Sequence, residues 1–195
     1  MALPSIGQAQ MLAETLEALV KRYVPQSVAI LGCAGGNGFE RLMPLQLDRI
    51  VGLDINPQYV ATARERFGKS LPQPELYVAD LQSTQRLFEP VEFVYAALVF
   101  EYVEIKKGLS FASRHCAPGG IFATVMQRRD ADEEWVSPSP YSSLLGLESV
   151  FRWVAPERFQ AEAERVGFAL ESSDDVVAGG GKGFSVQVFR RPGGD

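Results

Sequence analysis

The stretch Ser27 to Glu40, SVAILGCAGGNGFE, decides the fold, because a continuous apolar run breaks abruptly into a loop holding four glycines. Val28, Ala29, Ile30 and Leu31 show no polar alternation, which is the pattern of a parallel strand buried on both faces. Gly32, Gly35, Gly36 and Gly38 then offer backbone without a side chain to block a ligand. Phe39, Leu42 and Met43 return at helical spacing, so the loop is predicted to join a central strand to the N-terminus of a helix. In a doubly wound sheet that junction opens the ligand crevice.

A second apolar strand follows at Arg49 to Pro57, RIVGLDINP, and ends in Asp54. Asn56 suits a helix N-cap and Pro57 the first helical position. Gly32 and Asp54 are 54 − 32 = 22 positions apart. Such folds place a carboxylate on a ribose hydroxyl at an interval of roughly 20 residues, so a ribose-bearing ligand is expected. The loop itself is not a dinucleotide fingerprint: counted from Gly32, Ala34 and Asn37 stand where G-x-G-x-x-G requires glycine. It also lacks the Gly-Lys-Ser/Thr ending of a P-loop.

Further along come Tyr77-Val78-Ala79-Asp80-Leu81, then EFVYAALVFEY from Glu92 to Tyr102, then Cys116-Ala117-Pro118-Gly119-Gly120-Ile121-Phe122. Together with Ile30-Leu31-Gly32-Cys33-Ala34-Gly35-Gly36, and in this order, these segments resemble the landmarks of class I S-adenosylmethionine-dependent methyltransferases. The resemblance covers roughly residues 27 to 126. It implies an α/β fold with a doubly wound, mainly parallel seven-stranded sheet, helices on both faces and a closing antiparallel strand. It also implies S-adenosylmethionine as cofactor, held by Gly32, Cys33, Ala34, Gly36, Asp54, Ile55, Asp80, Leu81 and Ala97. Two positions depart from the family pattern: Ala34 replaces the middle glycine, and Ile30 replaces an acid used near the methionine end of the cofactor. A hydrogen bond to a charged group is worth about 1.5 to 3 kcal/mol, so the second change is expected to weaken affinity.

By the same resemblance Glu101 and Tyr102 follow the fourth strand on the acceptor side and are the candidate catalytic residues. Glu101 would serve as a base or as a counter-charge for a cationic substrate, or else as a helix-start carboxylate favoured by the dipole. The Asn/Asp-Pro-Pro-aromatic signature of the amide- and nucleobase-methylating branch is replaced here by Ala96, Ala97, Leu98 and Val99, which leaves a small-molecule acceptor. Two other readings compete. One is a module that binds the cofactor without turnover. The other is a short-chain NAD(P)-dependent oxidoreductase, because Gly32, Gly36 and Gly38 fit its loop and Tyr102 to Lys106 fits Y-x-x-x-K. Against it, Tyr102 follows the fourth strand rather than the fifth.

The composition bounds the possibilities. With 195 residues, 46% of them hydrophobic, residues 1–195 are expected to form one domain. A net charge of −5 argues against nucleic acid as a partner, since a phosphate-tracking surface needs clustered Lys and Arg. No basic leader and no apolar run of roughly 20 residues appears, which points away from a membrane and to the cytoplasm. Cys33 and Cys116 lack metal-ligand spacing, and with one histidine no metal site is expected.

Outward from the core, residues 5–24 place Leu12, Leu16, Leu19, Val20 and Tyr23 on one helical face, which is expected to cover an edge of the sheet. Strands at 49–54, 75–79, 92–99 and 120–126 alternate with helices at 57–67 and 104–116. The single histidine, His115, falls at the end of the second of these helices and is read as a helix-end residue. Residues 127–153 break the rhythm and are the candidate substrate-side insertion, with Trp135 and Tyr141 as substrate contacts or as aromatics that pack back on the domain. A helix at 156–166 and strands at 168–177 and 184–190 close the domain over 155–190. The glycine run between the two strands is read as a hairpin connection rather than a phosphate loop.

Overall fold

The computed structural model describes residues 4–71, 74–128, 151–179 and 181–194. Its elements run α1 (Pro4–Tyr23), β1 (Ser27–Leu31), α2 (Phe39–Leu42), β2 (Arg49–Asp54), α3 (Pro57–Phe67), β3 (Glu75–Val78), β4 (Val91–Ala97), α4 (Ile105–His115), β5 (Cys116–Gln127), α5 (Pro156–Arg165), β6 (Ala169–Val177) and β7 (Gly183–Arg190). The seven strands form one sheet in the order β3-β2-β1-β4-β5-β7-β6. Neighbours from β3 through β5 are parallel, and β7 lies antiparallel between β5 and β6. The expected fold class is therefore observed.

Why β1 reads as an unbroken apolar run is visible in the two cores. Val28 and Ile30 pack on one face with α1, α2 and α3, whereas Ala29 and Leu31 pack on the other with α4 and α5. In β4 the same division sends Phe93 and Tyr95 one way and Val94 and Ala96 the other. A side-chain period of two on a strand covered on both sides leaves no position for a polar residue. The strand order reverses between β1 and β4, so the loops leaving their C-terminal ends diverge and open a crevice there.

Two expectations are corrected. Helix α1 lies on a face of the sheet rather than at its edge: Leu12, Leu16, Leu19 and Val20 join the core, and the buried Tyr95 hydroxyl of central β4 donates to the Leu12 carbonyl at 3.0 Å. Full burial of each large aliphatic side chain stabilises by about 1.5–3 kcal/mol, and a sheet edge offers too little apolar surface for four of them. The helix predicted after the glycine loop is a single turn, α2, with Met43 exposed beyond it. His115 is the last residue of α4, as the sequence reading has it, and is buried as well. Its Nδ1 donates to the Phe111 carbonyl at 2.9 Å and its Nε2 accepts from Leu87 N–H at 3.1 Å, between the rings of Phe88 and Phe111. Burial holds its pKa below the ordinary value, so it is a neutral packing residue.

The remaining boundaries differ from the sequence reading by a few residues at most. Asn56 caps α3, its side chain accepting from Gln58 N–H at 2.9 Å with Pro57 at the first position. Trp135, Tyr141 and most of the 127–153 insertion lie outside the described residues.

Candidate functional site

The loop after β1 is fastened from three sides. Gly32 and Cys33 both donate their N–H groups to the Leu53 carbonyl, at 2.8 and 3.0 Å, which ties the end of β1 to the end of β2. Asp54 closes the second side: its Oδ2 accepts from Ala34 N–H and its Oδ1 from Asn56 N–H, both at 2.9 Å. Since Asn56 supplies the helix cap, Asp54 is not spent on capping. Each of its carboxylate oxygens keeps a further lone pair for a ligand hydroxyl. From the third side, α3 sends Arg66 to the Gly35 carbonyl at 2.6 Å, while its guanidinium lies 4.7 Å from the centre of the Phe67 ring.

Gly36 has φ +87, and a Cβ there would sit 2.6 Å from Phe67 Cε2. This glycine is required by the core beneath the loop as well as by its turn. Gly32 faces Val99 in the same way, with a Cβ 2.3 Å from Val99 Cγ2. Ala34, in place of the family glycine, takes φ +47 and retains the left-handed turn. Cys33 turns its thiol into the core, where burial first and the Asp54 charge second push it up to about 12. It offers a ligand backbone only and is chemically inert. Ile30, where the family pattern has an acid, is buried against the α1 side of the core and supplies no charge.

Beside Asp54, Ile55 is 67% exposed, and on the neighbouring strand Val78 is 54% exposed. Two apolar side chains left in water at the C-terminal ends of adjacent strands form a surface that a flat heterocycle would cover. Sequence reasoning named Ile55 and missed Val78, although its position at the end of β3 was a usable signal. Asp80 follows, its Oδ1 accepting from Gln82 N–H at 2.8 Å, while Leu81 is buried in the α4 side of the core. Ala97 ends β4 half-buried across the crevice.

The two acceptor-side candidates have different surroundings. Tyr102 is half-buried, with its ring 5.7 Å from that of Phe151 at an interplanar angle of 71°. Burial, then the neighbouring Glu101 charge, raises its pKa. Glu101 is only 1% exposed. Its Oε1 accepts from Gln127 N–H at 2.8 Å, its carbonyl accepts from Arg152 N–H at 2.8 Å, and its buried Oε2 has no hydrogen-bond partner. Burial pushes its carboxyl up to about 7, against the opposing effect of Gln127 N–H and the Lys182 charge. Nothing in the local sequence marked Gln127, Arg152 or Arg66 as participants. Among the described residues no cluster of three or more His, Cys, Asp or Glu side chains could hold a metal, and no helix is long and apolar enough to cross a membrane.

Residues 30–124 match the family model described as a methyltransferase domain. Among solved structures, the N-methyltransferase NodS from Bradyrhizobium japonicum WM9 in complex with S-adenosyl-L-homocysteine superposes with a TM-score of 0.73 at 16% identity, covering 95% of this chain and 88% of that one. A TehB-like SAM-dependent methyltransferase from Corynebacterium glutamicum gives 0.67 at 20% identity, over 92% and 86% of the two chains. The [4+2]-cyclase SpnF gives 0.72 at 15%, over 93% and 82%. A comparison with curated proteins found no significant match. Residues 30–124 therefore resemble a methyltransferase domain, and the chain shares the fold of these solved structures.

Proposed function

We propose that this methyltransferase domain uses S-adenosylmethionine to methylate a small-molecule acceptor in the cytoplasm. The observation that carries the cofactor reading is the junction at Asp54: a half-buried carboxylate with lone pairs to spare, flanked by the exposed Ile55 and backed by a loop that Asp54 itself holds. A carboxylate suits a ribose diol and an exposed aliphatic pair suits a purine, so the residues fit the cofactor. Gly32, Cys33, Ala34 and Gly36 would meet its methionine end through backbone, Asp54 its ribose, and Ile55, Val78, Asp80 and Leu81 its adenine, with Ala97 closing from β4. When bound, the cofactor supplies a methyl group on a sulfonium for in-line displacement.

The chain's own part is to hold an electron-rich acceptor atom in line and to exclude water. Tyr102 is the side chain suited to meet that acceptor, being half-buried and ringed by Phe151. Because a [4+2]-cyclase shares the fold, fold alone does not establish methyl transfer. The test is twofold. S-adenosylmethionine should raise the melting temperature and NAD should not, because a ligand of the folded state stabilises by mass action. Tritium from the labelled methyl group should then pass into the small-molecule fraction of a cell extract. Stabilisation by NAD instead would hand the site to an oxidoreductase, and cofactor binding without label transfer would leave a binding module.

A further inference from the structure

Glu101 touches both chain segments that border residues 129–150. On one side its carboxyl receives the N–H of Gln127, at the end of β5; on the other its carbonyl receives the N–H of Arg152. The adjacent Tyr102 stacks edge-on with Phe151, one residue before Arg152. Arg128, next after Gln127, donates its N–H to Gly183 at 2.9 Å and pairs its side chain with Asp175 at 2.5 Å, so the β6–β7 turn is drawn into the same assembly. Three segments distant in sequence therefore meet at Glu101 and its neighbour in space Arg128, the buried carboxyl holding Gln127 and the backbone carbonyl holding Arg152.

We propose that Glu101 is a positioning residue for the acceptor side, holding Gln127 and Arg152 in place beside Tyr102 rather than touching the acceptor itself. This rests on the methyltransferase reading above. The carboxyl is sealed from solvent, and one of its oxygens is committed to a backbone donor, which is the geometry of a fastening. Among the described residues, the charged and titratable groups that act on it are Lys182 of the β6–β7 turn and Tyr102 on its own turn, while Arg128 of the fastened segment is paired with Asp175. With Oε2 unpartnered, ionisation places a charge where no direct donor meets it. Ionisation strengthens the bond from Gln127 N–H while burial opposes the charge, so the state of this carboxyl changes through neutrality with its fastening bond kept.

Glu101→Ala and Glu101→Gln decide the matter. Three readouts are compared with the wild type: amide deuterium exchange at Gln127 and Arg152, the dissociation constant for S-adenosylhomocysteine, and transfer of tritiated methyl into the small-molecule fraction of an extract at pH 6 and 8. In Glu101→Ala the Gln127 amide should exchange at least about tenfold faster, with a smaller gain at Arg152, and label transfer should fall about tenfold or more, while S-adenosylhomocysteine affinity stays within about twofold. Glu101→Gln keeps an acceptor oxygen but cannot ionise. It should restore Gln127 protection and most of the label transfer, and should lose the difference between pH 6 and 8.

Wild-type transfer in Glu101→Ala would overturn the proposal. So would a Glu101→Gln protein as inactive as Glu101→Ala, because a carboxylate needed as such would be meeting the acceptor. If Glu101→Ala does not fold, Glu101→Gln alone decides by its protection and pH profile. If the wild type fails to bind S-adenosylhomocysteine, the methyltransferase reading falls by itself, and the exchange at Gln127 still reports whether Glu101 fastens that segment.

Discussion

The two halves of the crevice are built in opposite ways. On the β1–β2–β3 side the groups at the crevice are backbone amides, glycines and Asp54, and the loop is held by partners from β2 and α3, the strand and helix that follow α2. On the β4–β5 side the central group is a buried, titratable carboxyl whose partners come from far along the chain, Gln127 lying 26 residues away. The first half is fastened within the β1 to α3 unit, over 20 to 31 residues, whereas Arg152 reaches Glu101 over 152 − 101 = 51. The second depends on long-range closure around Glu101 and varies with pH. Under the proposed function the first half would hold the cofactor and the second the acceptor, the part that varies most among functions grafted on one fold.

The sharpest way to break the contrast is at Gly36. Gly36→Ala forces a Cβ into Phe67 and fixes an L-residue at φ +87, so it should cost about 2–5 kcal/mol in stability and lower the melting temperature by about ten degrees. Gly119, at φ +75 with no atom within 4 Å of a Cβ, is the control and should lose only about 1–2 kcal/mol as alanine. Equal losses at the two glycines would mean that the loop is not packed from below.

The acceptor side is tested by pH. The Glu101 carboxyl is raised in the folded protein from 4.5 to about 7. Its contribution to stability is therefore fully present below pH 4.5 and is lost as pH rises through about 7, a change of up to about 3 kcal/mol. Glu101→Gln removes that ionisation, so its melting temperature relative to wild type should climb between pH 5 and 8. A flat difference would show that the carboxyl does not titrate there. His115 acts oppositely and is unaffected by the substitution: its lowered pKa costs stability as pH falls below about 6.5.

Smaller effects are expected on the cofactor side. Asp54→Ala should weaken S-adenosylhomocysteine binding by roughly 10- to 100-fold. It should also cost about 1–3 kcal/mol, since Ala34 and Asn56 lose the acceptor for their N–H groups. Lowered stability with unchanged affinity, by calorimetry on one preparation, would remove Asp54 from the ligand. Arg66→Met frees the Gly35 carbonyl at an exposed site, and a two- to fivefold loss of affinity, about 0.5–1 kcal/mol, is expected. Affinity reduced as much as in Asp54→Ala would mean that Arg66 meets the ligand.

What the sequence disclosed follows the same division. The glycine loop, Asp54 and the Asn56-Pro57 cap sit within thirty residues, and their spacing carries the geometry, because strand, turn and helix start are local decisions. The two cores were legible for the same reason: an apolar run too uniform to alternate has to be covered twice. Glu101 was legible as a position but not as a role. Its partners Gln127 and Arg152 are brought to it by β5 and by the return of the chain at Phe151, and no local pattern records such a meeting. His115 escaped similarly, since the cage of Phe88 and Phe111 joins residues from two elements. The length of α1's apolar stripe was read correctly and its docking surface was not, because amphipathicity states how much is buried and not against what.

The sheet ends on β6. Its outer edge presents unpaired backbone groups over nine residues, the arrangement that invites a second molecule to add a strand. The opposite edge, β3, has four residues and little to offer. On β6 the register slips between Leu170 and Ser172, and the run carries Glu171, Asp174 and Asp175. Glu171 and Asp175 are paired with Arg190 and Arg128 of the same chain, so Asp174 is the carboxylate that edge-to-edge pairing would have to accommodate, which disfavours it. Replacing Asp174 with threonine would remove that charge from a β-competent strand and turn a self-avoiding border into a more adhesive one.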